Sequence, residues 1–189
     1  MMLRAAFVPP EPVLHELREA SDRIDVLSEL RSTPPDRLDV PVAGFGNVTD
    51  ADARRLRAAL VARLANEPAP VVRFAGVDVG HDGDVLVPLI GDVAPLTSIA
   101  QVVAQVAARV NLYVDRRRFR PALPIATPAR LSSGSSALGL ERGTPAWTGM
   151  EWEAAGVSLL RTRWFAGGAI CEEYGFVELG HPLDRRAGA

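Results

Sequence analysis

Few residues in this 189-residue chain are of a type and spacing that could do chemistry. Imidazole suits proton transfer because its pKa lies near neutrality, yet the only histidines are His15, His81 and His181, far apart in sequence. His15 stands beside Leu14 in a segment of helical periodicity, where a solvent-facing or boundary role is the plain reading. His81-Asp82-Gly83-Asp84 has metal-ligand residue types. Groups so close in one tight turn need ligands from elsewhere to converge on an ion, and an Asp-Gly pair already accounts for the turn, so no metal site is expected. His181 precedes Pro182 in the C-terminal tail. Cys171 is the only cysteine, which excludes an intramolecular disulfide and zinc sites built on paired cysteines. Beside Ile170 it reads as a buried, inert thiol. Gly134, Gly139 and Gly143 are not followed by Gly-Lys-Ser/Thr, so no phosphate loop is present and no cofactor is expected.

Arg116-Arg117-Arg118 and Arg120 form the densest basic cluster, with Phe119 inside it. Two readings are open: a solvated loop whose arginines pair with acids such as Asp115, or an anion pocket. Trp147, Trp152 and Trp164 fall late in the chain, where packing between sheet and helices is the usual fate of tryptophan. The net charge of −2 gives no global attraction to nucleic acid or anionic membrane, so such contact needs a local patch. No stretch has the length of a membrane span. The apolar run before Pro9-Pro10 is too short for a signal peptide. A cytoplasmic protein is therefore expected, and a monomer is the default.

These residues must be positioned by short elements of mixed type. Leu3 to Val8 reads as a strand closed by Pro9-Pro10. Val13, Leu17, Ala20, Ile24 and Leu27 then recur at helical spacing until Ser32-Thr33-Pro34-Pro35. Leu38 to Phe45 is strand-like. Thr49 looks like an N-cap for a helix reaching about Asn66, with Ala53, Leu56, Leu60 and Leu64 on one side. Val71 to Val79 and Val85 to Ile90 flank an Asp-Gly turn as a hairpin. A third helix is predicted after Pro95, with Ile99, Val102, Val103, Val106 and Val110 as its apolar stripe. An extended segment around Leu123 to Thr127 precedes a Ser-rich loop, 129–143. Two strands, about Thr148 to Arg163 and Glu172 to Leu179, end the chain. Hairpins mixed with helical crossovers favour an α+β fold.

Three segments carry a resemblance. Pro34-Pro35-Asp36-Arg37-Leu38-Asp39-Val40-Pro41-Val42-Ala43-Gly44-Phe45-Gly46-Asn47-Val48, followed by a helix, is similar to a proline-led turn entering a strand that reads His-x-Thr-apolar. Arg118-Phe119-Arg120-Pro121-Ala122-Leu123-Pro124-Ile125-Ala126 is similar to Phe-x-Pro-His-x-Thr-apolar-Ala. The stretch from Pro145 to Arg161, then Tyr174-Gly175-Phe176-Val177-Glu178-Leu179, looks like a closing pair of strands. In this order they resemble the 2H phosphoesterase superfamily, in the branch of RNA 2′,3′-cyclic phosphodiesterases and 2′-5′ RNA ligases. The resemblance implies two pseudo-symmetric lobes of antiparallel sheet with helices outside and a central cleft. It implies a single bilobal domain over 1–183, with 184–189 as a disordered tail.

In active members of that family two His-x-Thr/Ser motifs face each other across the cleft. One histidine takes a proton from the attacking water, the other protonates the leaving oxygen, and the hydroxyls hold the phosphate. Here the first motif reads Asp39 and Pro41, and the second Ala122 and Pro124. Proline offers neither a hydroxyl nor a backbone N–H. The resemblance therefore implies a catalytically degenerate member with no catalytic residue at these positions. Its cleft would bind a nucleotide, an RNA end or another phosphorylated metabolite, or a protein partner, with Arg118, Phe119 and Arg120 lining a surviving anion pocket. The alternative is an active cyclic phosphodiesterase or other hydrolase rebuilt on Asp39 and cleft arginines. It requires Asp39 to come within hydrogen-bond reach of Arg118 or Arg120.

Overall fold

Strand pairing sets the architecture, and the helices follow from it. The computed structural model describes residues 1–22, 30–80, 83–115, 117–127 and 147–180. In chain order these form β1 (Met2–Phe7), α1 (Glu11–Ser21), β2 (Arg31–Ser32), a 3₁₀ turn (Pro35–Arg37), β3 (Val40–Asn47), α2 (Asp50–Leu64), β4 (Val71–Phe74), β5 (Asp78–Val79), β6 (Val85–Gly91), α3 (Val93–Arg109), β7 (Ala122–Thr127), β8 (Trp152–Glu153), β9 (Gly156–Phe165) and β10 (Gly168–Glu178). The ladders between these strands are antiparallel. One sheet has the order β10-β9-β1-β3; the other has β2-β7-β6-β4-β8, with β5 also on β6. This is the α+β class expected from the sequence, with antiparallel sheets and helices.

The helices form where apolar spacing gives them a face to bury. α2 begins at Thr49, whose Oγ1 accepts from the Asp52 N–H at 3.1 Å and satisfies one of the unpaired donors of the first turn. Its four predicted core residues, Ala53, Leu56, Leu60 and Leu64, are fully buried. α3 starts two residues before Pro95, which therefore sits in the first turn, where its missing N–H costs nothing. Ile99, Val103 and Val106 are buried, and Val102 and Val110 pack partly against the same core. In α1, Val13, Leu14 and Leu17 are buried; the predicted Ile24 and Leu27 lie outside the described residues. One buried cluster joins Phe7 of β1, Phe74 of β4, Leu123 of β7, Leu56 of α2 and Leu96 of α3, so both sheets share a core.

Three strand predictions are corrected. The run from Val71 to Val79 is broken after Phe74, because Gly76 takes a left-handed φ of 65° and turns the chain. The run from Thr148 to Arg163 is two pieces, β8 and β9, separated by Ala154 and Ala155. β9 and β10 form one long hairpin through Ala166-Gly167, where Gly168 has φ 131°. The closing strand thus starts four residues before the predicted Glu172. The Ser-rich loop and the C-terminal tail lie outside the described residues.

Candidate functional site

β3 and β7 carry the motif positions, one strand from each sheet, with Asp39 directly before β3. Both strands are entered by proline-containing turns: Pro34 and Pro35 open the 3₁₀ turn before β3, and Pro121 precedes β7. Val40 and Leu123 are fully buried in the common core. Pro41, Ala122 and Pro124 line one cavity of about 680 Å³ between the sheets. The two aligned motifs therefore open on the same cleft. Ala5, Val42, Ala43 and Gly44 line it from the first sheet, and Leu86 from the second. Neither proline nor Ala122 brings a side-chain donor to this stretch of wall.

Asp39 does something else. It is only 2% exposed and is not among the cavity-lining residues. Its two carboxylate oxygens accept from Nη1 and Nη2 of Arg4 at 2.5 and 2.6 Å, a bidentate fork. Arg4 in turn lines the cavity, and its Nη2 also lies 3.4 Å from the Cys171 Sγ. Burial raises the Asp39 carboxyl above the ordinary carboxylate range, and the hydrogen bonds and charge of Arg4 oppose that rise only in part. Burial also works against the charge on Arg4. The hydrogen bond and charge of Asp39, helped by Cys171, outweigh it and hold the guanidinium above its usual value. The pair is a closed, nearly neutral unit at one end of the cleft.

Just before it, the Asp36 side chain accepts from the Cys171 N–H at 2.8 Å, which ties the 3₁₀ turn to β10. Ser158, 2% exposed, donates to Glu173 at 2.9 Å across the same hairpin. Cys171 is buried, as expected of an inert thiol, and packs with Ala6 and Leu160.

The segment from α3 to β7 supplies the other side of the cavity. α3 ends at Asn111, whose φ of 61° is the left-handed turn that closes many helices. Asp115 then donates its N–H to the Gly44 carbonyl at 2.9 Å, and its carboxylate lies over Gly44. The Ala122 N–H goes to Arg120 O at 2.8 Å and the Leu89 N–H to Pro121 O at 2.8 Å, which pins the segment to β6. Phe119 packs edge-on against Phe7, with ring centroids 6.2 Å apart. Between these anchors Arg117, Arg118 and Arg120 are exposed and line the cavity, along with Asp84 and Asp115. Among the described residues none of these three arginines has an ion-pair partner, so they do not pair with Asp115. Arg116 lies outside the described residues.

The three residues expected to line an anion pocket, Arg118, Phe119 and Arg120, are thus all on the cleft. Asp39 is not brought to Arg118 or Arg120; its partner is Arg4. His15 is exposed on α1 and faces Glu19 at 3.3 Å, while His81 and His181 lie outside the described residues. Trp152 is buried against Phe74 and Trp147 packs partly against the core, while Trp164 is 70% exposed at the hairpin tip. Arg4 is the site residue that sequence reasoning missed. A lone charge in the apolar run from Leu3 to Val8, matched by a lone acid in the run from Leu38 to Phe45, was the available signal.

No family model and no curated protein matches the chain. Solved structures do. The chain superposes on TT0787 of Thermus thermophilus with a TM-score of 0.72 at 18% identity, covering 97% of this chain and 100% of that one. E. coli LigT complexed with 3′-AMP gives 0.75 at 15% identity over 94% and 97%. A structure described as a phosphoesterase gives 0.70 at 15% over 95% and 98%. At these identities the likeness establishes the fold alone. The fold implied by the resemblance to the 2H phosphoesterases, that of LigT, is the fold this chain has.

Proposed function

We propose that this protein binds a phosphorylated ligand (a nucleotide, an RNA end or another phosphorylated metabolite) in the cleft between its sheets without hydrolysing it. The observation that carries the reading is the state of the motif positions. Pro41, Ala122 and Pro124 offer the cleft no acid, base or hydroxyl, and Asp39 is sealed behind Arg4. A positioned acid or base contributes about 10²- to 10⁴-fold each, and this cleft lacks both at the places where the fold would present them. Arg118 and Arg120, free of ion pairs among the described residues, supply an attraction for phosphate that needs no proton transfer. The solved LigT complexes hold 3′-AMP, NADP⁺, ATP and phosphate, which makes these compounds the natural probes.

The test pairs turnover with binding on one preparation. Neither 2′,3′-cyclic AMP nor a 2′-5′-linked dinucleotide is expected to be cleaved. 3′-AMP is expected to raise the melting temperature of the wild type, and the rise to disappear in Arg118→Gln/Arg120→Gln. Turnover that is abolished by Asp39→Ala would overturn the reading in favour of a rebuilt enzyme. Absence of any stabilisation by phosphorylated compounds would leave a protein partner as the occupant.

A further inference from the structure

The cleft sets a cluster of arginines beside an apolar wall, and this bears on which phosphorylated ligand it fits. The strand-borne wall is Ala5, Pro41, Val42 and Ala43 on one sheet and Leu86, Ala122 and Pro124 on the other. Across that wall the side chains have no hydrogen-bonding atom. The Arg4 guanidinium at its end is already engaged by both oxygens of Asp39. A phosphate lodged against these apolar side chains would lose hydration that they cannot replace, which is unfavourable. The cavity-lining cationic groups without ion pairs among the described residues, Arg117, Arg118 and Arg120, all come from the segment between α3 and β7. Asp84 precedes β6 and Asp115 follows α3. The Asp115 carboxylate reaches over Gly44 of β3, and Arg120 Nη1 and Leu86 Cδ1 flank the same point beside Gly80, so the charged groups border the apolar wall directly.

From this arrangement, and resting on the phosphorylated-ligand reading above, we infer that the ligand is amphiphilic: a phosphate monoester of an apolar alcohol. Its phosphate sits on Arg118 and Arg120, and its hydrocarbon or aromatic body lies along Pro41, Leu86, Ala122 and Pro124. A volume of about 680 Å³ is within the range of small-molecule pockets and accommodates such a body. A ribose, by contrast, would present hydroxyls to side chains that cannot answer them. The motif prolines then have a use of their own, since they make the wall apolar.

Calorimetric titration with three probes of matched head group tests this: inorganic phosphate, ribose 5-phosphate and hexyl phosphate. Hexyl phosphate is expected to bind at least about tenfold more tightly than ribose 5-phosphate, the worth of roughly two buried methylenes. Arg118→Gln/Arg120→Gln is expected to weaken all three. Pro41→Thr/Pro124→Thr is expected to narrow the gap between hexyl and ribose esters, and Ala122→Ser provides the same readout should the double variant fold poorly. If ribose 5-phosphate binds as tightly as hexyl phosphate or more so, the amphiphile inference is overturned while the phosphate-binding reading stands. If none of the three probes binds, the phosphate-binding reading itself falls.

Discussion

A carboxylate gripped by a guanidinium behaves differently from an imidazole open to solvent, and the Arg4–Asp39 pair shows the difference in measurable terms. Breaking it from one side leaves a charge in a buried place, because Asp39 is 2% exposed. Arg4→Ala is expected to lower unfolding free energy in urea by about 3 kcal/mol, and Asp39→Ala, which leaves Arg4 at the partly exposed cavity wall, by less. Arg4→Met/Asp39→Leu, which removes both charges and refills the space, is expected to fall close to the wild type or above it. Protonation gives a second handle. Since burial raises Asp39 above the ordinary carboxyl value of 3.8, the folded state favours its proton. The stability this adds is present below the ordinary carboxylate pKa and is lost as pH rises through the folded value. A carbon-detected titration is expected to place the Asp39 midpoint above 3.8, and Arg4→Met, which removes the opposing charge, to move it higher still. None of this was legible beyond the fact of two lone charges in apolar strands. Spacing reveals that Arg4 and Asp39 exist, but only the antiparallel pairing of β1 with β3 brings residues 35 apart in sequence into contact.

At the scale of elements, what could be read and what could not divide along a physical line. α2 and the stripe of α3 were visible because a 3.6-residue period leaves a long apolar signature and Thr49 marks a start. The strands were visible as apolar runs, but their breaks were not, because one or two small residues decide them. Gly76 ends one run, and the pair Gly167-Gly168 turns the long hairpin without any change in the apolar pattern to announce it. Gly91 is the most demanding of the positive-φ positions. It ends β6 with φ 104°, and a Cβ there would come within 2.7 Å of the Val71 carbonyl oxygen. The next residue starts the turn into α3, with the Asp92 N–H donating to that same carbonyl at 3.0 Å. Gly91→Ala is expected to cost about 1–3 kcal/mol of stability through backbone strain, read as a lowered urea midpoint. Gly76→Ala, whose Cβ would meet nothing within 4 Å, bears the φ penalty alone and is expected to cost less.

For the molecule as a whole, the arrangement of sheets around a cleft was legible only through the resemblance that the motifs and their order carry. The charge map of the cleft was harder to read, since arginines in a basic run look alike until their partners are known. The shared core makes a prediction about cooperativity. Phe7, Phe74, Leu123, Leu56 and Leu96 belong to one buried cluster, so neither sheet keeps a complete core when separated from the other. Scanning calorimetry is expected to give a single transition with equal calorimetric and van't Hoff enthalpies. Two resolved transitions would mean that the lobes unfold independently.

Pro41 and Pro124 have one more consequence, which concerns strand pairing and not ligands. Among the described residues β3 is an edge strand of its sheet, and β7 beyond its two-residue contact with β2 is bare on one side, so the cleft lies where two ladders stop. Open strand edges that approach each other invite hydrogen bonds across the gap, and also pairing with strands of other chains. A proline in each strand withholds an N–H at the place where such a seam would have to form. The two prolines therefore disfavour a ladder closing across the cleft, and an intruding strand meets the same gap.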